Sequence, residues 1–128
     1  MSKSRKIIIV LLVFISITCL GAGIIETQTH VIHRLYDNLV LDNKGHYLSC
    51  AELPTESEVL AVLDQHQDSI RAIQEVNPGL VGMEVDSFSC PGRADLVIWY
   101  ASHRDRLEIE NILNSDTFFG IPYRLQNR

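Results

Sequence analysis

Ala94-Asp95-Leu96-Val97-Ile98-Trp99-Tyr100-Ala101 is the stretch whose reading decides the fold. In an extended chain Leu96, Ile98 and Tyr100 face one way and Val97, Trp99 and Ala101 the other. Both faces are apolar, so both must be covered, which is the mark of a central strand. Immediately upstream, residues 80–88 alternate. Val81, Met83 and Val85 fall on one face and Gly82, Glu84 and Asp86 on the other, as in a strand wetted on one side. Ser89-Cys90-Pro91-Gly92-Arg93 supplies the turn between the two strands.

Helices are predicted on either side of this pair. Thr55-Glu56-Ser57-Glu58 behind Pro54 is a capping box, in which the Thr hydroxyl and the Glu carboxylate satisfy free backbone N–H groups. Val59, Val62, Leu63, Ile70 and Ile73 then form one helical stripe, stopped by Asn77-Pro78-Gly79. Ser102 caps a second helix through Leu113 that buries part of Leu107, Ile109, Ile112 and Leu113. After a turn at 114–117, Ile121, Tyr123 and Leu125 make a last strand. Pro122 confines it to an edge, because proline donates nothing to a ladder.

A short strand over His46–Cys50 completes the order β-α-β-β-α-β. That is the split-βαβ, ferredoxin-like two-layer α+β sandwich, with strands one and three central and strands two and four at the edges. In this topology the end of strand one and the hairpin between strands two and three share one end of the sheet. Cys50 and Cys90 would sit there, within reach of a disulfide.

The N-terminus is a different solvent problem. Lys3, Arg5 and Lys6 precede the uncharged run Ile7–Ile25, 19 residues long. As a helix it spans about 28 Å, the thickness of a bilayer's hydrocarbon core. The reading favoured is an uncleaved anchor over residues 1–25. A cleaved signal ending in Gly21-Ala22-Gly23 and acylation of Cys19 are the alternatives. The positive charges place the N-terminus in the cytoplasm and the domain outside, where two cysteines pair readily. Residues 26–45 read as a juxtamembrane connector and 46–128 as the extracytoplasmic domain.

Composition narrows function more than it names it. The chain is 46% hydrophobic and 21% charged, and its net charge of −5 is +3 up to residue 25 and −8 beyond it. A multidomain chain, a disordered acidic tail and a basic nucleic-acid binder are all excluded. No cofactor motif and no catalytic set is assembled: phosphate loops are absent, and the serines and acids lack a nucleophile elbow. His30 and His33, with Glu26 and Asp37 nearby, do not complete a metal site. His66 falls on the apolar stripe and reads as the rim of a core.

Two surfaces remain as candidates. His103, Arg104, Arg106, Arg124 and Arg128 are expected at the end of the sheet nearer the membrane, where they would meet anions or lipid head groups. Exposed Arg104–Glu108 and Arg106–Glu110 pairs are the plainer account of the helical arginines. Glu52, Glu56, Glu58, Asp86, Asp95 and Asp116 are expected at the opposite, outward end. Phe118 and Phe119 lie there as a partner contact, with one closing the core and the other exposed, or with both packed inside. The expectation is therefore a noncatalytic, membrane-anchored domain with a protein partner. The alternatives are a secreted protease-regulating module, acting through the edge Ile121–Leu125 and the tail Gln126-Asn127-Arg128, and a small-ligand or metal-binding envelope protein.

Overall fold

The computed structural model describes the backbone of residues 3–128 and all side chains except those of 3, 4 and 25–29. Met1, Ser2 and the side chains of Lys3 and Glu26, which entered the sequence reading, lie outside the described residues. The chain forms two compact units, 1–35 and 36–128.

In the first unit helix α1 runs Lys3–Thr29. Its segment Arg5–Ile24 (20 residues) is long and apolar enough to cross a membrane, a property that signal sequences share. Ser16 and Thr18 donate their hydroxyls back to carbonyls of the preceding turn, so these polar groups do not interrupt the apolar run. At His30 the backbone turns to φ +52° and leaves the helix. Helix α2 (Val31–Leu39) starts again after it. His30 and His33 therefore do not lie on one continuous helix.

In the second unit a 3-10 turn (Cys50–Glu52) precedes α3 (Glu56–Gln65), α4 (Gln67–Gln74), β1 (Gly82–Asp86), β2 (Asp95–Tyr100), α5 (His103–Leu113), β3 (Thr117–Phe118) and β4 (Ile121–Asn127). Both predicted caps are present. The Thr55 hydroxyl accepts from Glu58 N–H while the Glu58 carboxylate accepts from Thr55 N–H at 2.8 Å, and the Ser102 hydroxyl accepts from Asp105 N–H at 3.2 Å. The single helix expected after Thr55 is two, because the backbone at His66 moves to φ −122°, ψ 36° and caps one helix while opening the next.

The four strands form a mixed sheet in the order β1-β2-β4-β3. β1 and β2 are antiparallel, β2 and β4 parallel, and β3 and β4 an antiparallel hairpin. The central strand is as read, but the predicted split-βαβ strand order is not what is found. His46–Cys50 contributes no strand, since its polar groups are satisfied locally. Leu48 N–H donates to His46 Nδ1 (3.0 Å), Ser49 N–H donates to Glu52 Oε2 (2.8 Å), and Tyr47 takes φ +57°. Such side-chain bonds compete with a ladder for the same backbone. The vacated central place beside β2 goes to β4, reached through α5.

β4 is thus interior, despite Pro122. Its pairing with β2 starts at Tyr123 opposite Leu96, so the missing N–H falls just ahead of that ladder. The other side of β4 is occupied by β3 at Ile121 and Pro122, and by Lys44, which exchanges both backbone hydrogen bonds with Leu125 at 2.8 and 2.9 Å. No free edge remains along Ile121–Leu125, which corrects the edge expected there.

The core takes Leu96, Ile98 and Tyr100 from β2 and Tyr123 and Leu125 from β4, packed against Val59, Ile73 and Ile109 of the helices. On the opposite face Trp99 lies across Gly82, and Val97 is buried. Cys50 and Cys90 form a disulfide, Cα to Cα 5.5 Å, joining the 3-10 turn to the β1–β2 loop. The disulfide points to an oxidising environment.

Candidate partner-docking site

The structure disposes of most of the basic residues by pairing them. Arg106, although on the first turn of α5, is only 5% exposed. It donates to Asp42 Oδ1 at 2.9 Å, to Glu110 at 3.5 Å and to the Asn38 side-chain oxygen. His103 Nδ1 meets the same Asp42 oxygen at 2.7 Å. The Asp42 carbonyl accepts from the Tyr100 hydroxyl and its other carboxylate oxygen from Asn127. Burial pushes the Asp42 carboxyl up, but hydrogen bonds from His103 and Arg106 prevail and hold it below its ordinary value. The basic end of the sheet is in this way organised around an acid from the connector.

Arg124 goes elsewhere. Its guanidinium grips Asp95 through two bonds, 2.5 and 2.9 Å, and Asp86 through a third at 2.6 Å, at the other end of β2. Asp95 is 3% exposed, and its second partner is His46 Nε2 at 2.7 Å. Since His46 Nδ1 accepts from Leu48 N–H, the proton sits on Nε2 and points at Asp95. That arrangement uses the imidazole as a clasp for residues 45–49. At Asp86 the Ser89 backbone N–H is the largest influence. With the Ser89 hydroxyl and Arg124 it overcomes burial and lowers the carboxyl to about 2. Arg128 pairs with Glu84 at 2.7 Å, and its N–H donates to Tyr100 O, so the tail is tied to the sheet. Arg104 alone of these five basic residues is exposed without an ion pair among the described residues. The described residues hold no group of three or more His, Cys, Asp and Glu placed to bind a metal ion.

Phe118 and Phe119 part company. Phe118 is 1% exposed and belongs to the core, whereas Phe119 is 55% exposed. They are separated by the geometry of a two-residue hairpin, closed by Phe118 opposite Ile121. Phe119 and Gly120 both take positive φ, +49° and +91°, the requirement of a type I′ turn. Gly120 meets it freely, but Phe119 does so against its own steric preference. Contact holds it there: its ring stacks on His66 with centroids 3.5 Å apart and 6° between planes, and Phe118 meets it edge-on at 5.0 Å. The break at His66 is what turns the imidazole toward the hairpin.

Beside Phe119 an open cleft of about 250 Å³ lies between α4, α5 and the hairpin. Ile73, Ile112, Leu113 and Phe118 form its apolar wall, and Ser69, Ser115 and Thr117 bring hydroxyls to it. An apolar hollow with a few polar groups suits a protruding aliphatic side chain with neighbouring peptide groups. The sequence named both phenylalanines. It did not show the partner of Phe119, because the residue on which the ring stacks is 53 positions away. No family model, curated protein or solved structure matches this chain.

Proposed function

We propose that the chain is a noncatalytic extracytoplasmic domain held by a single N-terminal membrane anchor, and that it acts by docking a protein partner on Phe119 and the adjacent cleft. The observation that carries this reading is the exposed aromatic ring of Phe119, fixed at positive φ by His66 and Phe118 at the mouth of an apolar hollow. An anchor residue held rigid before binding loses little conformational freedom on association. The disulfide and the charge asymmetry about the apolar helix support the extracytoplasmic placement.

The test is cross-linked co-purification of the full chain from its native membranes, comparing the unchanged protein with Phe119→Asn and with Glu84→Gln, an exposed position on the sheet face away from the cleft. Asn accepts the left-handed conformation, so the turn survives while the ring is lost. Loss of one discrete partner with Phe119→Asn and its retention with Glu84→Gln supports docking here. Equal recovery from all three removes this surface from the reading.

A further inference from the structure

Helix α2 is divided by its sequence into two sides. At about 100° per residue, Val31, Ile32, Leu35, Tyr36 and Leu39 fall within an arc of roughly 140°, and His33, Arg34, Asp37 and Asn38 share the opposite arc. The polar side is fastened to the domain. Asp37 Oδ2 accepts from the Tyr47 hydroxyl, and Asn38 Oδ1 accepts from Arg106. The apolar side is left open. No residue of α2 is buried, and Leu35, Tyr36 and Leu39 are each more than half exposed, Leu39 at 75%. A helix so divided puts its apolar side against a second apolar phase.

The place of α2 in the chain says which phase that is. The apolar span of α1 ends at Ile24, and α1 continues as helix to Thr29. At 1.5 Å per residue this carries the chain about 8 Å past the hydrocarbon edge, the level of the lipid head groups. His30 then breaks the helix at φ +52°, so α2 is released from the direction of α1. It begins at the depth where interfacial helices lie, their apolar sides sunk about 5–10 Å into the boundary with the acyl chains. Tyr36 is of the residue type that collects at this boundary. Arg34 and Asp37 cancel in charge, so zwitterionic lipid suffices. A protein cover fits less well, because one side of a nine-residue helix offers far less than the roughly 800 Å² per partner of a stable interface.

We infer that α2 is an interfacial helix, which lies on the lipid surface from which α1 emerges and sinks Ile32, Leu35 and Leu39 into it. Because Asp37 and Asn38 bind the domain, the domain is held at that surface rather than left on a free linker. The inference rests on the membrane-anchor part of the proposed function and is independent of the Phe119 cleft.

The full chain with Cys19→Ser, its disulfide left intact, carries one nitroxide label at a time on Leu12→Cys, His33→Cys, Leu35→Cys or Leu39→Cys, in phosphatidylcholine vesicles. Collision of the label with oxygen, which concentrates in lipid, is compared with collision with a water-soluble nickel chelate. Leu12→Cys reports the anchor and is expected to meet oxygen and exclude nickel. Leu35→Cys and Leu39→Cys are expected to favour oxygen several-fold more than His33→Cys does, at a shallower depth than Leu12→Cys. All three α2 positions are exposed, so labelling keeps the fold; the melting temperature of each labelled chain is matched to that of the unlabelled one. Nickel contact at 35 and 39 equal to that at 33, with Leu12→Cys in lipid, overturns the inference and leaves the anchor standing. Exclusion of both reagents from 35 and 39 overturns it in favour of a protein cover, such as a second copy of the chain. Nickel contact at 12 as well as at 35 and 39 overturns anchor and inference together.

Discussion

Arg124 closes a bidentate pair on Asp95, a carboxylate 3% exposed, and reaches Asp86 with the same Nη2. One residue on β4 thereby fixes β2 and, through Asp86, the β1–β2 loop. Removing the arginine leaves a buried carboxylate with only His46. Arg124→Ala is expected to cost about 3–5 kcal/mol in urea unfolding. The double change Arg124→Met with Asp95→Asn should recover part of that loss, since it removes the uncompensated charge.

The acid limb of stability follows from the same carboxylates. Asp42, Asp86 and Asp95 are all held below their ordinary value, Asp86 at about 2. Each therefore binds fewer protons folded than unfolded, so stability is fully present above the ordinary carboxylate range and drains as pH falls toward 2. Asp86 alone accounts for about 2 kcal/mol of this. Melting curves between pH 7 and pH 2 should show a steady fall that Asp86→Asn makes shallower. An unchanged slope in that variant would show that Asp86 is not a source of the pH dependence.

Gly82 is fixed by its neighbour across the ladder. A methyl group placed there would come 2.1 Å from the Trp99 ring, which must then leave the sheet face. Gly82→Ala should destabilise the domain by about 1–3 kcal/mol and raise the solvent accessibility of Trp99, read as a red shift in its fluorescence. A spectrum identical to that of the unchanged protein would contradict the packing.

The disulfide ties a turn that has little regular structure of its own to the β1–β2 loop. Replacing Cys50 and Cys90 by Ser should lower stability by up to about 4 kcal/mol in the chain-entropy view. Faster amide exchange should appear over 46–53 and 86–92 while α5 stays protected. Nonreducing intact mass checks the bond itself.

Much of this architecture was legible from local signals. Thr55 and Ser102 announce their helices because a cap is a contact over three residues, and β2 announces itself because both faces must be covered. The strand order was not legible, since it depends on which distant segment wins the place beside β2. His46–Cys50 has a strand-like composition but satisfies its backbone through His46 and Glu52. Pro122 reads as an edge residue, yet one step of register moves its missing N–H off the ladder. The ion pairs of Arg106 and Arg124 span 64 and 29 positions, and a sequence of scattered charges does not reveal them. Phe119 is a candidate in the sequence because two adjacent aromatics in an extended chain point to opposite faces, although an irregular turn could have packed both inside. Its stacking on His66 needed the helix break that no proline or glycine marks.

The most direct test of the docking account places a photoreactive phenylalanine analogue at position 119 of the full chain in its native membrane, with Glu84, on the sheet face away from the cleft, as the control position. One discrete cross-linked protein from position 119, absent from position 84, is the result predicted. No adduct at 119, or the same adducts at both positions, would contradict the claim that Phe119 and its cleft hold a partner.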